Sequence, residues 1–260
     1  MKKYVLVTGA CVNTGVDIVE KFASEGWGVI FTGRDEARVI EAQNRYQDKF
    51  PSAYIKGFAI NSLIDERTVD EKAVYNLFDT LDKEGIFVQG VVLNAADQGL
   101  NMEVFNNPLS DFTKVINTNV CWNYLIAEQS ALRMKDNGGG SILFVNSNTA
   151  YRAIPNRIAY EASKGAQLGM MRGLALDLGK YNIRVNAVLP GMIKTERWDK
   201  NPEFYAKVPS RFSPLGNVIE GKEIAEACYY FIAQSISATG AELLIDGGNT
   251  IQLYPVRKEL

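Results

Sequence analysis

Short apolar runs recur along this chain, each followed by a longer helical stretch, and that alternation constrains the fold more than any other feature. The runs are YVLVTG (4–9), GVIFTG (28–33), AYIKGFAI (53–60), VQGVVLNA (88–95), SILFVNS (141–147), IRVNAVLPG (183–191) and AELLIDGG (241–248). Seven strands separated by helices read as a parallel sheet, because a parallel connection needs a crossover and a helix is its usual form. Several runs are almost unbroken in apolar residues, as strands covered on both faces must be. Helices are therefore expected on both faces. The segment DIVEKFASEG places Ile18, Val19, Phe22 and Ala23 on one helical face and stops at Gly26. Further helices are expected at 35–49, 65–84, 110–135, 158–180 and 220–233. With no internal repeat, low-complexity tract or linker, residues 1–260 read as one domain. Residues 192–217 carry three prolines and four aromatics without a clean period, the character of a substrate-binding loop or lid.

The charge balance, 28 basic against 30 acidic residues, gives no whole-chain field for nucleic acid or an anionic membrane. A small molecule and further copies of the chain are the expected partners. The basic start MKK is followed by an apolar run too short for a signal segment, and no stretch of about 18 apolar residues occurs. The three cysteines are too far apart for a CxxC unit, so a reducing, cytoplasmic setting is expected. The absence of histidine removes Ser-His-Asp hydrolysis, HExxH zinc chemistry and imidazole general-base catalysis. Acid–base work falls to Tyr, Lys, Asp, Glu or Cys, and no metal site is expected.

Four stretches carry chemistry. The first strand runs into TGACVNTG, Thr8 to Gly15, and then a helix; such a turn brings backbone N–H groups and a helix N-terminus against a pyrophosphate. The second strand ends FTGRDEAR, with Gly33 at its end, Arg34 next and Asp35 opening the following helix, where an acid suits the dipole. In a dinucleotide fold a strand-end acid selects NAD, whereas an arginine suits the 2′-phosphate of NADP. LNAAD, Leu93 to Asp97, closes the fourth strand with small residues. In AIPNRIAYEASKGAQ, Tyr160 and Lys164 are one helical turn apart and share a face. A free phenol titrates near pH ~10, and a neighbouring ammonium favours its ionised form.

Taken together these stretches resemble the short-chain dehydrogenases/reductases over nearly the whole chain. Thr8, Gly9 and Gly15 match that family's TGxxxGxG turn, with Asn13 in place of the middle glycine. Asn94 and Ala95 match its NNAG element, where Leu93 and Ala96 depart from it. Asn119, Ser147, Tyr160, Lys164, Pro190–Gly191 and Asp246–Gly247–Gly248 fall in the family's order. The resemblance implies a doubly wound Rossmann sheet of order 3-2-1-4-5-6-7 and a hydride exchange between a nicotinamide cofactor and a carbonyl or alcohol carbon. It implies Ser147 as the group that orients the substrate oxygen, Tyr160 as general acid or base, and Lys164 as its electrostatic partner and a ligand of the nicotinamide ribose. Asn119 would hold a water linking the lysine to solvent. The implied cofactor-binding residues are Thr8, Gly9, Asn13, Thr14, Gly15, Arg34, Asn61, Asn94, Ala95, Pro190, Gly191, Ile193 and Thr195, with Tyr160 and Lys164 shared. Asparagine tolerates a left-handed backbone, which would let the turn survive at Asn13.

The expected substrate wall is Gln98, Asn148, Tyr151, Arg152, Arg157, Met192, Trp198 and Phe204. Its arginines suit a polar or anionic substrate and its aromatics an apolar one. The reading is an NADP(H)-dependent oxidoreductase interconverting a ketone or aldehyde and an alcohol. NAD(H) is the alternative cofactor, with a sugar, hydroxy acid or steroid as substrate. A catalytically silent dinucleotide sensor or scaffold and an epimerase or dehydratase on the same fold are the competing readings. A homo-oligomer, tetramer or dimer, is expected through the helices at 110–135 and 158–180, where Ala162, Gly165, Ala166, Gly169 and Gly173 permit close packing or rest on the sheet.

Overall fold

All seven apolar runs become strands of one parallel sheet: β1 Tyr4–Val7, β2 Gly28–Gly33, β3 Ile55–Ala59, β4 Gly90–Leu93, β5 Gly140–Val145, β6 Ile183–Pro190 and β7 Glu242–Ile245. Their order is β3-β2-β1-β4-β5-β6-β7, the order the family resemblance implies. The computed structural model describes residues 2–200, 202, 203 and 212–253, less the side chains of Arg197 and Asp199.

Alternation along each strand splits the interior into two cores. Leu6, Ile30, Val91, Ile142, Phe144 and Val185 face one side and pack under α3 (Glu71–Lys83), α5 (Asn123–Asp136) and α6 (Ile158–Leu178). Val5, Val7, Val29, Phe31, Val92, Leu143 and Val188 face the other, under α1 (Thr14–Ser24), α2 (Glu36–Lys49) and α8 (Gly221–Tyr229). The two-sided cover explains why these strands lack polar alternation. On α1 the buried stripe includes Ile18, Val19, Phe22 and Ala23, and Gly26 follows the helix at φ 80°.

Three expected helices form differently, that at 220–233 as α8 followed by a π turn at Tyr230–Gln234. Residues 65–70 stay non-helical because the Asp65 carboxylate accepts from the N–H groups of Arg67 (2.7 Å) and Thr68 (2.8 Å), closing a side-chain turn that competes with a helix. The helix starts only at Glu71, where Asp70 caps it by accepting from Ala73 N–H at 3.0 Å. The run expected at 110–135 is continuous but not uniform: α4 (Leu109–Ile116) passes into a π turn at Asn117–Trp122 and then into α5. Within 192–217 the described part includes α7 (Arg197–Lys200), a single short turn of helix. Gly165, Gly169 and Gly173 face open space on the outer side of α6 rather than the sheet.

Strand order places the ends of β1 and β4 side by side, and Thr8 ties them. Its hydroxyl, fully buried, accepts from the N–H groups of Asn94 and Ala95, both at 3.0 Å. Asn94 reciprocates by donating from its amide to the carbonyls of Thr8 (3.1 Å) and Gly9 (3.0 Å). Thr8→Val keeps the shape and removes the acceptor, leaving Ala95 N–H buried without its partner at a cost of about 1–3 kcal/mol. Urea unfolding is expected to show that loss for Thr8→Val and under ~1 kcal/mol for Thr8→Ser; equal losses for the two would place the effect in packing.

Candidate active site

The carboxyl ends of the parallel strands form one edge, and a cleft of about 1130 Å³ runs along it from the end of β2 to the start of α6. Such an edge, at the point where strand order reverses, is where open α/β sheets take their ligands. Of the sequence-derived cofactor residues, Gly9, Asn13, Thr14, Gly15, Arg34, Asn61, Asn94, Ala95, Pro190, Gly191, Ile193 and Thr195 line it, together with Ser147, Tyr160 and Lys164. Thr8 lies beneath, in the β1–β4 tie.

The glycine-rich turn is shaped by close backbone approach. Gly9 has φ 65°, and a Cβ there would stand 2.8 Å from Ala95 Cα, so no side chain fits. Asn13 adopts φ 52°, ψ −141°. The φ is positive, as a glycine stand-in requires, but the ψ lies away from the left-handed helical well, in a region that glycine favours. Its side chain makes no capping bond to α1, whereas α2 and α3 are capped by Asp35 and Asp70. The first turn of α1 therefore opens onto the cleft without a side-chain cap, which is what an anionic phosphate group needs. The residues fit a dinucleotide.

At the β2 end, the exposed Arg34 stands at the cleft mouth. Asp35 is turned to its own helix, accepting from Arg38 N–H at 2.9 Å. Gly33, the strand-end position, has Cys11 Sγ and Val39 directly against it, so an acidic side chain there would collide. Cys11 is a cleft residue that sequence reasoning passed over. Its carbonyl accepts from Arg45 at 3.1 Å, and burial pushes its thiol up, against the pull of Arg45 and Arg38.

The chemistry-bearing end is built on β5 and α6. Ser147 caps the turn Asn148–Ala150, its hydroxyl accepting from Thr149 N–H at 3.2 Å. Tyr160, in the first turn of α6, lines the cleft beside Ser147. Burial raises the Tyr160 phenol above its ordinary value, while its hydrogen bond with Ser147 and the charge of Arg157 pull it back. Lys164 Nζ lies 5.5 Å from the Tyr160 ring centroid. The ammonium is 1% exposed and donates to Val145 carbonyl (3.0 Å) and Gln167 Oε1 (3.2 Å); burial brings its pKa down to about 7.

Asn119 sits on the π turn, one layer behind the cleft and fully buried. Its side chain clamps the segment after β4, accepting from Asp97 N–H (2.7 Å) and donating to Asp97 carbonyl (2.8 Å) and Ser163 Oγ (2.9 Å). Its main-chain carbonyl accepts from Gln167 Nε2 (2.7 Å) and Asn123 Nδ2 (2.8 Å). Both acceptor positions are filled by protein. Gln167, Asn146 and Ser163 were missed in the sequence. The available signal was spacing, because Gln167 follows Tyr160 by seven residues and lies on the same buried face of α6.

The expected substrate wall divides. Gln98, Arg157, Met192 and Trp198 line the cleft. Arg157 donates to the carbonyls of Gln98 (3.2 Å) and Gly99 (3.3 Å), which fixes it at the edge. Asn148, Tyr151 and Arg152 do not line it, because the turn after Ser147 carries them toward β7 and the segment beyond it. There Asn148 donates to Asn249 Oδ1 (2.9 Å), Tyr151 bonds Glu242, and Arg152 bonds the Gln252 carbonyl. Phe204 lies outside the described residues. Ile154, Pro155 and Asn101 line the cleft in addition.

An anion-ready turn at one end of a cleft and a Ser–Tyr–Lys set at the other define a dinucleotide-dependent enzyme. A family model described as enoyl-(acyl carrier protein) reductase matches residues 9–250. The chain is 32% identical over 247 residues to the 3α-hydroxysteroid dehydrogenase of Mediterraneibacter gnavus, covering 94% of this chain and 96% of that protein. It is 32% identical over 255 residues to the NADP-dependent (R)-specific alcohol dehydrogenase of Lentilactobacillus kefiri, covering 96% and 97%. A putative gluconate dehydrogenase from Agrobacterium tumefaciens superimposes with a TM-score of 0.88 at 26% identity, covering 96% and 97%. The chain belongs to the short-chain dehydrogenase/reductase family and is an NAD(P)-dependent oxidoreductase of CH–OH groups.

The buried lysine has a stability consequence. Its folded pKa, about 7, lies below the ordinary 10.5, so between those values the unfolded chain binds more protons and stability rises with pH. The penalty is complete below pH ~7 and relieved toward ~10.5. Lys164→Met removes it. In calorimetry of the cofactor-free protein, the variant is expected to melt above the parent at pH 6, by roughly 3–6 °C. That advantage shrinks at pH 9; a pH-independent difference would contradict the assignment.

Proposed function

We propose that this protein is an NADP(H)-preferring carbonyl reductase and alcohol dehydrogenase. In this reading Ser147 and Tyr160 handle the substrate oxygen, and Arg34 recognises the cofactor's 2′-phosphate. The observation that carries it is the pairing of the Ser147 and Tyr160 hydroxyls at the cleft, with the Lys164 ammonium behind them. A bound nicotinamide dinucleotide supplies the hydride in reduction and accepts it in oxidation. Tyr160 gives its proton to the nascent alkoxide in reduction and takes it from the alcohol in oxidation. Ser147 donates a hydrogen bond to the same oxygen and stabilises the charge developing there. Lys164, when protonated, favours the phenolate, and Arg157 adds positive charge on the other side of Tyr160.

The preference for NADP(H) rests on the β2 end. Arg34 is free of Asp35, which caps α2, and the Cys11 sulfur occupies the space a strand-end carboxylate would need. The similar alcohol dehydrogenase from Lentilactobacillus kefiri is NADP-dependent by name. The segment 192–217 is read as the substrate loop: Lys194 N–H donates to Ile219 carbonyl (2.9 Å) and Ile219 N–H to Met192 carbonyl (3.1 Å). That anchors the loop's first residues beside the cleft, where Met192 and Trp198 meet substrate.

Tyr160→Phe is expected to lower kcat for ketone reduction by about 10²–10⁴-fold, the usual scale of general acid–base catalysis. NADPH binding, read by fluorescence, should change little; near-normal turnover would end the proton-transfer reading. Arg34→Ala is expected to raise the KM for NADPH about tenfold or more and leave that for NADH within ~2-fold, a charge-assisted contact being lost. An unchanged cofactor preference in initial rates would remove Arg34 from this role.

A further inference from the structure

We propose that Gln167 is a positioning residue of the proton-transfer site: its side-chain amide joins the Asn119 carbonyl to the Lys164 ammonium and holds that ammonium beneath Tyr160. Gln167 is 1% exposed and every polar atom of its amide is engaged. Nε2 donates to Asn119 carbonyl at 2.7 Å, while Oε1 accepts from Lys164 Nζ at 3.2 Å and from Asn146 Nδ2 at 3.1 Å. The orientation of the amide is dictated by its neighbours. Turned over, its NH₂ would face the ammonium and the Asn146 NH₂, and its oxygen would face a carbonyl.

The arrangement does two things. It gives the ammonium a second acceptor, so that Val145 carbonyl and Gln167 Oε1 hold two of its three protons and the third is left toward the cleft. It also ties the ammonium's acceptor to the π turn, where the Asn119 carbonyl accepts from Gln167 Nε2 and Asn123 Nδ2. The ammonium, while protonated, is thereby held as a positive charge beneath Tyr160.

Titratable groups stand on Lys164's own helix and on the segments around it. Tyr160 is on its own helix and Arg157 precedes it. Asp97, after β4, is paired with Lys114 at 3.2 Å. Asp111 on α4 accepts from Leu100 N–H at 3.1 Å. No carboxylate is paired with Lys164 among the described residues, so neutral acceptors carry the stabilisation of its charge, and Gln167 is one of two.

This rests on the carbonyl–alcohol reading, and the test separates the two. For Gln167→Leu, the acid limb of kcat/KM for alcohol oxidation is expected to move up by about one pH unit, with about a tenfold loss at pH 7 that recovers at high pH. The Kd for NADPH should stay within ~3-fold. Gln167→Asn, short by one methylene and able to admit a bridging water, should fall between Leu and the parent. A profile identical to the parent's, or the same loss at every pH, would overturn the proposal. If Gln167→Leu does not fold, Gln167→Asn and a high-resolution crystal structure of the unaltered protein decide. The amide seated between Asn119 and Lys164 supports the proposal, and a water there with Gln167 turned away overturns it. That structure reads Gln167 even if the parent turns over no carbonyl, an outcome that would count against the function alone.

Discussion

An ammonium held in the core without a carboxylate partner among the described residues is the constraint around which this site is arranged. Lys164 is almost fully buried and meets only neutral acceptors. A buried charge of this kind is tolerated only if the surrounding dipoles are aimed at it. The carbonyl of Val145, at the very end of β5, is one such dipole: the ladder with β6 passes it, from Asn146 N–H to the Val188 carbonyl, and the ladder with β4 has already stopped at Leu93–Phe144. The oxygen of Gln167 is the other, and it is held to its task by Asn146 and Asn119. The end of β5, the π turn and the inner face of α6 thus form one polar unit inside an otherwise apolar sandwich. Moving any of them would leave the charge unsupported.

The π turn fits this logic. A uniform α-helix through Asn117–Trp122 would use each carbonyl within the helix, whereas a widened turn frees backbone groups for other partners. Here the Asn119 carbonyl takes two side-chain donors, and the Asn119 amide clamps the chain after β4 on the opposite side. One residue therefore links the β4 end, α6 and the lysine network.

Much of this was legible in the sequence, and the reasons are specific. The strands announced themselves because the central ones are covered on both faces, so that β1, β2, β4 and β5 read as almost unbroken apolar runs. Tyr160 and Lys164 were legible because a four-residue spacing is a geometric statement about a helix. Residues 65–70 were misread as helix because a single aspartate, Asp65, redirected the backbone through its own hydrogen bonds. Asn148, Tyr151 and Arg152 were assigned to the cleft because they follow Ser147 directly, but one tight turn reverses the chain and sends them toward β7. The π turn has no sequence pattern of its own. Gln167 could be seen as a polar residue on a buried face, but two of its three partners, Asn119 and Asn146, lie 48 and 21 residues away and only the fold brings them to it.

The same unit explains why the site opens in one direction. Apolar cores close off both sheet faces, the Asn119–Gln167 contact closes the back of the lysine, and the tie of Thr8 to Asn94 and Ala95 closes the floor at the β1–β4 junction. The remaining opening is along the carboxyl edge, between the uncapped turn of α1 and the Ser147–Tyr160 pair. At one end of that edge the first turn of α1 has N–H groups without a side-chain cap, the setting an anionic group needs. The two ends of the cleft, the α1 turn and the Ser147–Tyr160 pair, are set apart by how the strands are ordered.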